Sequence, residues 1–291
     1  MYKRQVFPVY DMGTQAHAMQ LVAAHSDVPV PDVKFVELDD GPLGAPFIVM
    51  RRMEGRALAD IPPYTFGGSF LDELDASQRR EFQRNFMSVQ AQLHNIDLTD
   101  VDTSFIASPD GGDALGRQLD AQYEYFEWAR AGRDFPLIDR GLAWLRDNMP
   151  SDPGPTVLNW GDARPGNVLV DGVTPSAVLD WEMVDLGPAA VDVAWAIFLH
   201  SFFQHIAGVF GVPGFPDMFQ HDDVLADYEA AGGAALPDLD WFIMFASVRF
   251  AIVSVRTSSR EAAYGNREMP DDLQDLIMHR SIFEQQLDDR A

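Results

Sequence analysis

NWGDARPGNVLVDGVTPSAVLDWEMVDLGPAAVDVAW, residues 159–195, is the stretch that decides the fold. Three polar residues stand out in this apolar, turn-forming run: Asp162, Asn167 and Asp180. Asp162 and Asn167 lie in a loop rich in Gly and Pro, and a short apolar strand over 168–170 follows at once. Asp171-Gly172 predicts a tight turn. A second apolar run over 177–179 then delivers Asp180 at its end. Two short strands joined in this way form a hairpin with Asn167 and Asp180 at one mouth. An amide and a carboxylate side by side present oxygen ligands that suit a hard cation such as Mg²⁺, shared with phosphate oxygens and water. Asp162 precedes the Asn by five residues and is within reach of a substrate hydroxyl. Taken singly, each of these residues reads as a turn former or a helix cap. Only the set, in this order, points to chemistry.

Asp162-x4-Asn167 followed thirteen residues later by Asp180 resembles the catalytic loop and metal-binding Asp of the protein-kinase-like fold. The surrounding wording, WGDARPGN, VLDWE, GP and VDVAW, most resembles the aminoglycoside phosphotransferase family, a group that includes choline-kinase-like and homoserine-kinase-like enzymes. The resemblance implies a two-lobed α/β (α+β) chain: an abbreviated N-lobe of strands and one helix over 1–55, then a mainly helical C-lobe over 56–291. It also implies transfer of the terminal phosphate of ATP or GTP to a hydroxyl of a small molecule, with Mg²⁺. Asp162 would then accept the proton of the attacking hydroxyl, and Asn167 and Asp180 would hold the metal. Arg164 falls where related kinases carry a basic residue touching the transferred phosphoryl group. Asp192 would brace the catalytic loop, or cap its own helix. Met50, Arg51, Arg52 and Met53 fall in the hinge, whose backbone groups hydrogen-bond the adenine in that family. Glu182 reads either as help for a second cation or, preferably, as a solvated charge.

The chain departs from the family pattern ahead of its first helix. There is no Gly-rich hairpin there and no basic strand residue; Lys3 or Arg4 would have to supply the phosphate-binding cation, and Gln15 stands nearest to the place of its acidic partner. A natural start further upstream, an unusual grip on the nucleotide, or a nucleotide-binding pseudokinase without turnover would each account for this. Trp160 occupies the place of the family's loop His. A metal-dependent hydrolase using Asp162 and Asp180 is a further alternative, but it needs ligands that the sequence does not offer.

With 291 residues and 47% hydrophobic content, the chain can bury a sizeable core in one large domain or two lobes. Zero cysteines remove disulfides and thiolate chemistry. A net charge of −24 argues against nucleic acid and against an anionic membrane as partners. No apolar stretch approaches membrane length and no signal pattern opens the chain, so the expected location is cytoplasmic.

Along the chain, composition predicts a helix over 16–24, a strand over 33–38, a turn over 39–44 and a buried strand over 45–53. Residues 56–74 read as a surface excursion or a mobile flap near the substrate. Asp75 or Ser77 then caps a helix with the apolar stripe Phe82, Phe86, Val89 and Leu93, closed by a structural His94. After a loop over 105–112, helices are expected over 115–131, 137–149, 191–203, 223–231, 241–255 and 260–286. His200 and His205 lack partners at metal spacing. Asp222, Asp223, Asp227 and Glu229 read as a solvated helix face, or as a lure for a cationic substrate.

Overall fold

The computed structural model describes residues 5–39, 41–106 and 113–290. Lys3, Arg4 and most of the loop expected over 105–112 lie outside that set. Contacts group the chain into two units, one formed by the described residues of 11–111 and 154–237, the other by those of 1–10, 112–153 and 238–291.

In the first unit, helix α1 (Met12–His25) begins where the Asp11 side chain accepts the Thr14 N–H, and it buries Ala16, Ala18, Met19 and Val22. That face packs on an antiparallel pair of strands, β1 (Val33–Glu37) and β2 (Phe47–Met50). The expected buried strand over 45–53 is therefore both shorter and more open. With only two strands present and α1 on one side, Phe35, Val49 and Met50 remain exposed. Residues 56–74 also differ from expectation: Leu58, Tyr64, Phe70 and Leu71 are buried, and the Tyr64 hydroxyl bonds His200 Nδ1 at 2.7 Å. Large apolar side chains pin this segment despite its Pro and Gly content.

Asp75 caps α2 (Ala76–His94) in a reciprocal arrangement with Gln78. Phe82, Phe86, Val89 and Leu93 are all buried, and α2 packs on β3 (Thr156–Asn159), on a later strand β5 (Thr174–Val178) and on α6 (His221–Ala230). The expected hairpin is present as β4 (Val168–Asp171) paired with β5, Val168 opposite Val178. β3 pairs antiparallel with β6 (Asp185–Pro188), a strand that its Gly and Pro had hidden. Helix α5 (Ala190–Val209) follows. By length and hydropathy α5 could cross a membrane, yet 72% of its apolar window is buried within the chain.

The second unit is helical. α7 (Leu239–Ala263) contacts α3 (Ala114–Arg130), α4 (Pro136–Asp147) and α8 (Arg280–Asp288). A Cβ on Gly141 would lie 2.7 Å from the Phe283 ring and 2.9 Å from Val248, so glycine allows α4 to approach both neighbours. The single helix expected over 260–286 does not form. α7 ends at Ala263, Gly265 takes a φ of +75°, Pro270 follows, and a short 3₁₀ turn at Leu273–Leu276 precedes α8. Gly and Pro stop the helix inside the expected range.

Candidate active site

The loop after β3 is held from beneath by Asp192, which is fully buried on the first turn of α5. A buried carboxylate requires hydrogen-bond donors, and Asp192 has three. Trp160 N donates at 2.7 Å, Gly161 N at 2.9 Å and His94 Nε2 at 3.1 Å. Asp192 does not cap its own helix, since α5 has no side-chain cap. A carboxylate only accepts, so His94 Nε2 carries a proton, while Nδ1 lies 2.8 Å from the Tyr228 hydroxyl. His94 thus does more than face a helix dipole: it links α6 and α2 to the loop. Trp160 packs against Phe86 and Trp181, with ring centroids at 6.3 and 6.2 Å. Its Nε1 donates to the carbonyls of Leu179 and Asp180 at 2.9 and 3.1 Å, tying the loop to the end of the hairpin.

Gly161 has a φ of +89°, and a Cβ there would lie 1.8 Å from the Met183 carbonyl oxygen. Only glycine lets these two backbones meet.

Asp162, 9% exposed, is gripped by three donors. Trp195 Nε1 donates to Oδ1 at 2.7 Å. Asn167 Nδ2 and Arg164 Nε donate to Oδ2 at 2.6 and 2.9 Å. Asn167 Nδ2 also donates to the Asp162 carbonyl at 3.1 Å. With its amide nitrogen committed to Asp162, Asn167 keeps an amide oxygen that accepts no hydrogen bond from a described residue. Arg164 Nη1 donates to both oxygens of Asp60, each at 2.6 Å. Neither Trp195 nor Asp60 was identified from the sequence. A signal for Trp195 existed: it follows Asp192 by three residues on one helix, so both face the same way.

Leu179 N donates to the Asn167 carbonyl at 2.9 Å, which places Asp180 beside Asn167 at the mouth of the hairpin. Asp180 takes a φ of +59°, a left-handed conformation that Asp tolerates better than most residues. Desolvation, and then the charge of Asp162, raise the Asp180 carboxyl above its ordinary range. Much of Glu182 is exposed, yet desolvation of its carboxyl, helped by Asp180 and Asp162, pushes it up to about 7. Glu182 is exposed, as a solvated charge is, and its carboxyl also feels the charges of Asp180 and Asp162. Among the described residues, no three His, Asp or Glu side chains form a metal cluster by themselves. The donors offered, an Asn oxygen and a carboxylate, are all oxygen and fit part of the sphere of Mg²⁺, which normally retains water and phosphate ligands.

Of the hinge residues, Met50 pairs with Val33 in the sheet, and Arg51 N donates to the Asp32 carbonyl at 2.8 Å. Arg52 and Met53 make no backbone hydrogen bond to a described residue. Two of the four acids of α6 are used internally: Asp227 pairs with Arg80 and accepts from Gln83 Nε2 at 2.8 Å, while Asp223 lies 3.3 Å from Arg80; Asp222 and Glu229 are exposed, as on a solvated face. His200 Nε2 lies 3.0 Å from the Phe215 carbonyl, and burial pushes the ring down to about 4, so this His is neutral and structural.

A family model described as "Phosphotransferase enzyme family" matches residues 11–242. A Ralstonia eutropha JMP134 protein provisionally designated an aminoglycoside phosphotransferase superposes with a TM-score of 0.72 at 21% identity, covering 95% of this chain and 82% of its own. The GDP and kanamycin complex of the aminoglycoside phosphotransferase APH(2″)-IIIa gives 0.57 at 16% identity, covering 98% and 86%. These likenesses establish the protein-kinase-like α/β fold. Among curated sequences, Arabidopsis thaliana IBR3, named for an acyl-CoA dehydrogenase, is 26% identical over 261 residues. That match takes in 82% of this chain, which spans only 30% of the length of IBR3.

Proposed function

This chain belongs to the phosphotransferase enzyme family, and we propose that it moves the terminal phosphate of ATP or GTP to a hydroxyl of a small molecule, with Mg²⁺. The observation that carries the reading is the grip on Asp162. Three donors fix its carboxylate in the loop, and the backbone bond from Leu179 N to the Asn167 carbonyl brings the end of the hairpin, and Asp180 with it, beside Asn167. Phosphoryl transfer asks the protein mainly for positioning and charge neutralisation, and this arrangement is suited to both.

Asn167 and Asp180 would hold the metal. Bound there, Mg²⁺ supplies charge neutralisation on the phosphate oxygens. Asp162 orients the acceptor hydroxyl toward the terminal phosphorus and takes its proton. Arg164 Nη2, the guanidinium nitrogen bonded to neither Asp60 nor Asp162, faces negative charge on the transferring group. The backbone groups of Arg52 and Met53 receive the nucleotide base.

Asp162→Asn tests the reading. It should retain fold and nucleotide binding while lowering kcat by about 10²–10⁴-fold. Transfer at close to the unsubstituted rate would refute the role of Asp162. Mg-nucleotide binding by the unsubstituted chain without transfer to any hydroxyl would make it a nucleotide-binding regulator.

A further inference from the structure

Asp60 sits on the segment that leaves the hinge, 104 residues from its partner Arg164. Its position is firmly set. Arg56 exchanges backbone hydrogen bonds with Val170 in both directions at 2.9 Å, and Tyr64 N donates to the Ala59 carbonyl at 2.8 Å. Leu58 and Tyr64 on either side are buried.

A guanidinium is planar, so two anchored nitrogens fix the direction of the third. In Arg164 the anchors are Nε on Asp162 Oδ2 and Nη1 on both Asp60 oxygens, and Nη2 is the nitrogen left over. Without Asp60, Arg164 would keep one tether and could swing about it. The loop also leaves space for the pair. A Cβ on Gly166 would lie 2.6 Å from Arg164 Nη1 and 3.0 Å from Asp60 Oδ1.

We propose that Asp60 is a positioning residue for phosphoryl transfer that acts through Arg164, aiming Nη2 at the transferring group. The assignment rests on the phosphotransferase reading above. An ordinary loop-fixing ion pair would share the same contacts, so the two roles are separated by kinetics rather than by geometry.

The experiment is a double-mutant cycle on kcat, with KM for nucleotide and acceptor measured alongside. Asp60→Ala should lower kcat by about 10–100-fold, as expected for a misdirected catalytic group, and leave both KM values within about threefold. Asp60→Asn, which keeps one acceptor oxygen, should recover part of that loss. Asp60→Ala combined with Arg164→Ala should be no slower than Arg164→Ala alone. A kcat for Asp60→Ala equal to that of the unsubstituted chain overturns the proposal. So do single losses that multiply in the double variant, or a kcat loss that follows loss of fold by circular dichroism in both Asp60 variants. If the unsubstituted chain transfers no phosphate to any acceptor, the phosphotransferase reading falls and takes this role with it. An active chain indifferent to Asp60 removes the role alone.

Discussion

Asp192→Ala is the substitution whose effect can be worked out most fully. The side chain is fully buried and accepts from Trp160 N, Gly161 N and His94 Nε2 at 2.7, 2.9 and 3.1 Å. Alanine strands all three donors where no water reaches them. Each buried unpartnered donor costs about 1–3 kcal/mol. Because the three share one acceptor and relax together, a total of about 3–5 kcal/mol is the better figure, typical of breaking a buried charged network from one side. In a chain of 291 residues, at about 2.1 cal/mol/K per residue, this lowers the melting midpoint by about 5–8 °C. Asp192→Asn keeps one acceptor oxygen but turns an amide N–H₂ toward donors, so its loss should fall between alanine and the unsubstituted chain. Thermal unfolding followed by circular dichroism, backed by urea titration, measures both. A midpoint within 2 °C of the parent for Asp192→Ala would refute the bracing role and the donor accounting behind it.

Four further outcomes are expected. Gly161→Ala should be destabilised by more than about 2 kcal/mol in urea, since its methyl would meet the Met183 carbonyl at 1.8 Å on a backbone with φ of +89°. Asp180→Ala should weaken Mg²⁺-dependent nucleotide binding by about tenfold or more, while metal-free binding changes little by calorimetry. Trp195→Phe removes the Nε1 donor from Asp162 Oδ1 and should cut kcat by about tenfold, equivalent to one hydrogen bond to a charged group; an unchanged kcat would make that contact incidental. The Glu182 carboxyl is raised from about 4.5 to about 7, so folding favours its protonated form. Its contribution is present in full below pH 4.5 and is lost as pH rises toward 7. Glu182→Gln should accordingly gain melting temperature over the parent above pH 7 in metal-free buffer, and gain none at pH 4.

Local features of this protein were legible in its sequence, and long-range ones were not. The hairpin of β4 and β5 could be read because its turn is a Gly-containing pair between two apolar runs. The stripe on α2 could be read because Phe82, Phe86, Val89 and Leu93 recur at helical spacing. β6 was hidden, since Asp-Leu-Gly-Pro carries no strand propensity and gains its conformation only from pairing with β3. Segment 56–74 read as loose because Pro62-Pro63 and Gly67-Gly68 interrupt it, whereas burial of Tyr64 and Leu71 decides its state. The helix expected over 260–286 failed because Gly265 and Pro270 lie inside that range and stop it. At the site, spacing identified the residues between Asp162 and Asp180. The groups behind them, His94, Trp195 and Asp60, lie 98, 33 and 104 residues from the partners they hold, and only Trp195, three residues after Asp192 on one helix, carries a local hint of its contact.

The ladder between β3 and β6 has one more consequence. It fastens Asn159 to Asp185 and Thr156 to Pro188, drawing the chain into a noose whose neck is four residue pairs long. Asp162, Asn167, Asp180 and Glu182 all ride inside that noose, while Asp60 reaches in from outside. Sequence change outside the noose can therefore alter the tether on Arg164 without loosening the knot that holds these four residues.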